Sequence, residues 1–175
     1  MPDTSLLEPV ILGVCAINLA FMAAWLTVGA LENLFHPFLN ETFTAQVMDM
    51  QRMRDEYPEA YALVAYRRIE SPVVRRALFR LVLGWELLAA LALWGAAAAV
   101  VLAAFGAVAA GPALAAGLVA ATLFTAVWAG FLIIGNYFCY WFGHEGGQNT
   151  HFHMLHWGMA GGMLMVLAAV ALGAI

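Results

Sequence analysis

The chain has 175 residues, of which 65 % are apolar and 10 % charged, with a net charge of −4. A mean hydropathy of +0.86 excludes an ordinary soluble domain, and the acidic balance gives no reason to expect nucleic acid as a partner. What remains is an all-α membrane protein, read as a single membrane domain over residues 1–175 that meets the lipid bilayer directly.

Four apolar runs, Leu6–Leu31, Leu78–Phe105, Pro112–Ile134 and Phe152–Ile175, each reach the roughly 20 residues that a helix needs to cross a hydrocarbon layer. They predict a four-helix transmembrane bundle, with helices at about 6–34, 74–105, 112–142 and 150–175 and a polar, partly amphipathic helical cap at 38–72 between the first two. The first helix carries Asn18 in an apolar span and ends in Glu32, Asn33 and His36 before Pro37 stops it. Glu32 and His36 share a face at i,i+4, a spacing read as interfacial capping rather than ligation. The first twenty residues hold no basic residue, so the amino terminus is expected to be retained rather than cleaved.

In the cap, Thr42–Glu56 has the pattern of a short amphipathic helix. A second short helix is expected after Pro58, from Ala60 to Tyr66, before Pro72 breaks the path. Its methionines read as packing rather than metal chemistry. All seven basic residues are arginines between Arg52 and Arg80, a bias that places the loop 35–73 in the cytoplasm and both termini on the other side.

Arg75, Arg76 and Arg80 open the second spanning helix, where their side chains can snorkel to head groups. Glu86 lies six residues further on, about 9 Å deeper by helical rise. A carboxylate at that depth must face the bundle interior, be protonated or have a partner. It is either an acid hydrogen-bonded to Asn136 or to a backbone carbonyl, or a functional group. The second and third spanning helices form a tight hairpin through Gly106–Gly111 and are built mainly of Ala, Val, Leu and Gly, which suits a scaffold. Cys15 and Cys139 fall on opposite faces by parity of crossings, so no disulfide is expected between them.

The most unusual stretch is Asn136–Gly162, NYFCYWFGHEGGQNTHFHMLHWGMAGG, which holds four of the five histidines. Tyr137, Phe138, Tyr140, Trp141 and Phe142 suit an interfacial aromatic belt. Gly146 and Gly147 allow a turn, and Asn149 or Thr150 can cap the last helix, after which His153 and His156 share a face and His151 points elsewhere. His144, Glu145, His151, His153 and His156 are therefore candidate ligands for a metal ion or haem, with Glu86 behind them as a supporting acid. The spacing matches no standard zinc motif, and the competing reading is a hydrogen-bonded polar plug. Gly158 and Gly162 form a G-x-x-x-G suited to close packing, within the bundle or against another chain. Four crossings put Glu32, His36, Glu86, Asn136 and the histidine stretch near one pole, whichever way the chain is inserted.

The runs ENLFHPFLNETFTAQVMDM and YRRIESPVVRRALFRLVLGWELLAALALWGA resemble a bacterial family of predicted small integral membrane proteins, the domain of unknown function 2165. The resemblance rests on Asn33, Asn40, Met48 with Asp49, Arg68 with Ile69, and Trp85 with Glu86. It covers about half the chain, implies a four-helix membrane protein and leaves function open. The histidine stretch departs from the family pattern, and the family's basic residues between the second and third helices imply the opposite insertion to the arginine bias. No Walker loop, nucleophile elbow or dinucleotide fingerprint is present, so the chain does not read as an enzyme.

Three functions are carried forward. The first is an accessory, non-catalytic subunit of a larger bacterial inner-membrane assembly, respiratory or photosynthetic, with other integral subunits or further copies of itself as partners. The second is a membrane protein that binds a metal ion or haem through the histidines of 144–156, with an oxidoreductase as one form of it. The weakest is a proton or small-substrate carrier through Glu86, since four helices show no inverted repeat.

Overall fold

The computed structural model of the protein describes residues 6–175; residues 1–5, and with them the expectation about the amino terminus, lie outside the described residues. Four helices are long and apolar enough to span a membrane: α1 (Leu7–Phe35), α5 (Pro72–Ala104), α6 (Ala110–Tyr137) and α7 (Glu145–Ala171). Between α1 and α5 lie three short helices, α2 (Phe38–Met48), α3 (Gln51–Glu56) and α4 (Pro58–Val64), followed by a 3-10 turn at Ala65–Arg67. No strand occurs among the described residues.

The packing runs α1 on α5, α5 on α6 and α6 on α7, and only a thin seam between α7 and α1 closes the bundle. Small residues make the central contacts possible. Ala89, Ala90, Ala96, Ala97 and Ala103 line the buried face of α5, and Ala113, Gly117, Ala120 and Ala121 line that of α6. Backbones that approach closely gain dispersion contacts, which matter more than hydrophobic burial when lipid surrounds the bundle. Leu12, Leu19, Met22, Leu93, Phe124 and Met165 fill the remaining space.

Gly158 sits against Phe124 and Thr125, where an added Cβ would come within 3.0 Å of Phe124 Cδ1. Gly161 faces Met22 and Asn18, with Met22 Sδ at 2.9 Å from the same construction. Gly162 makes only an ordinary contact with Leu118 at 3.6 Å. The close approaches thus belong to Gly158 and Gly161, and they hold α7 to its own bundle.

Several expected boundaries move. The third spanning helix ends at Tyr137 rather than near 142, because the chain turns at Cys139, whose φ is +55°, and tucks the aromatic run beneath the cap. α7 starts at Glu145, before Asn149 and Thr150, so neither residue caps it; Thr150 Oγ1 instead donates to the Gly146 carbonyl at 3.0 Å, and Gly146 and Gly147 lie in the first turn. The turn uses Gly143, at φ +83°, where an added Cβ would stand 2.6 Å from Arg52 Cδ. The single amphipathic helix expected over 42–56 is split at Asp49 and Met50, where Met50 takes a left-handed φ of +51°. At the start of α5, Ser71 Oγ accepts from Val74 N at 3.4 Å with Pro72 in the first helical position.

Candidate functional site

The cap and the α6–α7 turn lie against each other at one pole, as four crossings require. Arg52 Nη1 donates to the Gly143 carbonyl at 2.7 Å, and Arg67 Nη1 donates to the Tyr137 carbonyl at 3.2 Å while its guanidinium lies 5.4 Å from the Tyr137 ring centre. Between them Met48, Met50 and Met53 from the cap pack on Phe138 and Cys139 from the turn. The methionine stripe is therefore packing. Cys139 is buried there while Cys15 is buried in the main core, and both thiols are free.

The cap is pinned to α5 by a carboxylate shared among three arginines. Asp49 takes Arg68 Nε at 2.7 Å, Arg75 Nη1 at 3.0 Å and Arg54 Nη1 at 3.3 Å. Partial burial pushes the Asp49 carboxyl up, but the Arg68 hydrogen bond and the charges of Arg68, Arg54 and Arg75 outweigh it and hold the group below the ordinary carboxylate range. The backbone joins in: Ile69 N donates to the Met48 carbonyl at 3.0 Å. A strap from α4 to α5 is thereby tied across the end of α2.

One layer below, Glu86 faces the bundle interior and is 6 % exposed. Its partner is Asn33 of α1, not Asn136, which lies exposed on α6. Asn33 Nδ2 donates to Glu86 Oε2 at 3.0 Å, and Asn40 Nδ2 donates to Asn33 Oδ1 at 2.6 Å. The three residues form a polar chain running from α2 through the end of α1 into α5. A buried acid hydrogen-bonded to a neutral amide fixes the register of two helices, because any slip leaves a donor and an acceptor unpaired in an apolar layer. Asn33 sits in the α1 exit noted from the sequence, but its link to Glu86 needs the crossing geometry of α1 and α5, which no spacing along the chain reveals.

The histidines do not converge. His144 is 7 % exposed and meets the edge of Phe43 with ring centres 4.8 Å apart. Burial, helped by the Arg52 charge and opposed by Glu145 and Glu56, holds its imidazole below the usual histidine value. His151 is half-buried and stacks on Phe131 at 4.8 Å and, more distantly, on Tyr140 at 6.0 Å, with Trp128 at 5.8 Å. Its Nδ1, like Trp128 Nε1, Tyr140 Oη and His144 Nε2, has no protein hydrogen-bond partner. Burial raises the Tyr140 phenol to about 12. His153, His156, Glu145, Glu32 and His36 are all exposed. Among the described residues no group of three or more His, Cys, Asp or Glu side chains stands close enough to hold a metal ion. Side-chain direction separates what proximity in sequence groups: His153 and His156 share the outer face of α7, His151 points to the other side of the helix, and the start of α7 at Glu145 leaves His144 in the turn before it.

No curated protein and no solved structure matches the chain. Residues 13–169 match the family described as predicted small integral membrane protein (DUF2165). That match runs through all four spanning helices and includes the turn that bears the histidines, beyond the half of the chain that carries the resemblance in sequence. With its polar chain, its tied cap and its four apolar helices, this chain belongs to that family of small integral membrane proteins.

Proposed function

We propose that the protein is an accessory, non-catalytic subunit of a larger inner-membrane assembly in a bacterium, docking through the outer face of α7. The observation that carries this reading is the exposure of His153 and His156 on that face. The apolar part of α7, residues 152–171, matches the roughly 20 residues of a 30 Å hydrocarbon layer, which puts His153 at its rim and His156 roughly 6 Å inside. Imidazoles directed at acyl chains at that depth are costly, whereas a neighbouring helix that offers a carboxylate or carbonyl would satisfy them. The same stripe continues through Met159, Met163 and Leu167, flexible apolar side chains suited to a partner surface. α7 is also the least covered helix, with 28 % of its most apolar stretch buried against 39 % in each of the others.

The test is to solubilise the protein gently from its own membranes, identify what accompanies it, and record its visible spectrum and metal content. Stoichiometric large membrane subunits support the proposal, and redox subunits among them support a respiratory or photosynthetic assembly. A chain that carries stoichiometric haem or metal by itself contradicts it and favours the metal- or haem-binding reading. In this proposal the arginine-bearing cap faces the cytoplasm, on the bias of basic residues.

A further inference from the structure

A second feature, independent of α7, lies where the end of α1, the start of α2 and the first turns of α5 meet. These elements enclose an open groove of about 790 Å³, within the range of sites that hold small amphipathic ligands. Leu34, Phe38, Phe79 and Leu83 make its walls apolar, and Asn33, already bonded to Glu86, forms part of its lining. Two arginines of α5 stand at it. Arg76 donates from Nε to Glu41 Oε1 at 3.0 Å, so that pair is neutral. Arg80, one turn deeper, is exposed and has neither an ion pair nor a hydrogen bond among the described residues. The groove therefore carries one uncompensated positive charge above an apolar floor, at the pole where helices leave the lipid.

We infer that this groove binds an anionic membrane phospholipid, its phosphate on the Arg80 guanidinium and an acyl chain along Phe79 and Leu83. The charges complement one to one. A guanidinium presents several N–H donors to phosphate oxygens, and its weak hydration favours an interfacial ion pair. A free anion satisfies Arg80 but leaves the apolar walls uncovered; a neutral amphiphile covers the walls but leaves the charge. An anionic lipid does both. Its headgroup lies beside Asn33, the middle link of the polar chain from Asn40 to Glu86.

The experiment uses the full chain, purified in detergent and stripped of lipid, titrated separately with short-chain phosphatidylglycerol, short-chain phosphatidylcholine and inorganic phosphate. Native mass spectrometry and tryptophan-detected melting report binding. The wild type is expected to bind phosphatidylglycerol saturably and about fivefold or more tighter than phosphatidylcholine, the scale of one interfacial arginine. Arg80→Gln, a surface change that leaves packing intact, should erase that preference. Ala45→Phe, which narrows the groove from the α2 side without touching a charge, should weaken both lipids together. Equal affinity of the wild type for the two lipids, an undiminished preference in Arg80→Gln, unaltered binding in Ala45→Phe, or phosphate binding as tightly as phosphatidylglycerol would each overturn the assignment.

Discussion

Replacing Glu86 by alanine takes away the oxygen that Asn33 Nδ2 meets at 3.0 Å, in a layer where the carboxylate is 6 % and Asn33 9 % exposed. A buried donor left without an acceptor costs about 1–3 kcal/mol. The space vacated by the side chain adds on the order of 1 kcal/mol, since α1 and α5 cannot close onto it without breaking the alanine contacts below. The total of about 2–4 kcal/mol corresponds to a fall in melting temperature of roughly 5–10 °C for a chain of this size. Glu86→Gln keeps an oxygen at nearly the same place and should cost under about 1 kcal/mol. Asn33→Ala should match Glu86→Ala, and the double variant should fall short of the sum by about 1–2 kcal/mol, because both changes remove one shared bond. Tryptophan-detected melting in a single detergent measures all four. If Glu86→Gln is as damaging as Glu86→Ala, the carboxylate acts through something other than its bond to Asn33, and the polar-chain argument fails.

Further outcomes follow from the cap and the α7 seam. Asp49→Asn removes the charge shared by Arg54, Arg68 and Arg75 and should loosen the cap by about 1–2 kcal/mol, read as faster amide exchange and proteolysis over residues 50–70 with the spanning helices unaffected. Since the Asp49 carboxyl is held below its ordinary value of 3.8, its contribution is present above that pH and is lost as the pH falls through the lower folded value. His144 acts in a higher window. Its folded value is lowered from 6.5, so the unfolded chain binds the proton more readily, and the cap should weaken as the pH drops from 6.5; amide exchange should show that loss in the wild type and not in His144→Phe. Gly158→Leu must displace Phe124 or Thr125 and should destabilise the α6–α7 contact by about 1–3 kcal/mol, whereas Gly162→Leu, facing only Leu118 at 3.6 Å, should cost distinctly less. A reporter that works only outside the cytoplasm, fused after Ile175, should be active, since four crossings with the arginine-bearing cap in the cytoplasm put that end on the other side; an inactive fusion reverses the orientation.

Much of the architecture is visible in the sequence because lipid imposes it. An apolar run of sufficient length can only be a helix, and parity then assigns every loop to a pole. That reasoning brings the cap, Glu86 and the 138–144 turn together. It does not say which side chains touch. Asn136 is as polar as Asn33 and lies at the same pole, yet helix rotation turns it outward and turns Asn33 toward α5. The histidine stretch is dispersed for a related reason. Its residues are close along the chain, but the helix begins at Glu145 rather than near 150, so the imidazoles fan around an axis: His151 inward onto Phe131, His153 and His156 outward. The aromatic run after Tyr137 suits a helix continuing into an interfacial belt, and only the left-handed Cys139 and Gly143 fold it beneath the cap. Of the residues that carry the family resemblance, Asn33, Asn40, Asp49, Arg68 and Glu86 lie in the two polar clusters, the Asn40–Asn33–Glu86 chain and the arginines around Asp49.

The account of function stands on the outer face of α7. Its most direct test is recovery of the tagged chain from native membranes in mild detergent, as the wild type and as His153→Ala with His156→Ala, followed by sizing and mass spectrometry of the accompanying subunits. The wild type should elute with a stoichiometric integral-membrane partner, and the double variant should elute without it while melting as the wild type does. A wild type that elutes alone, or a double variant that keeps its partner, would contradict the proposed docking face.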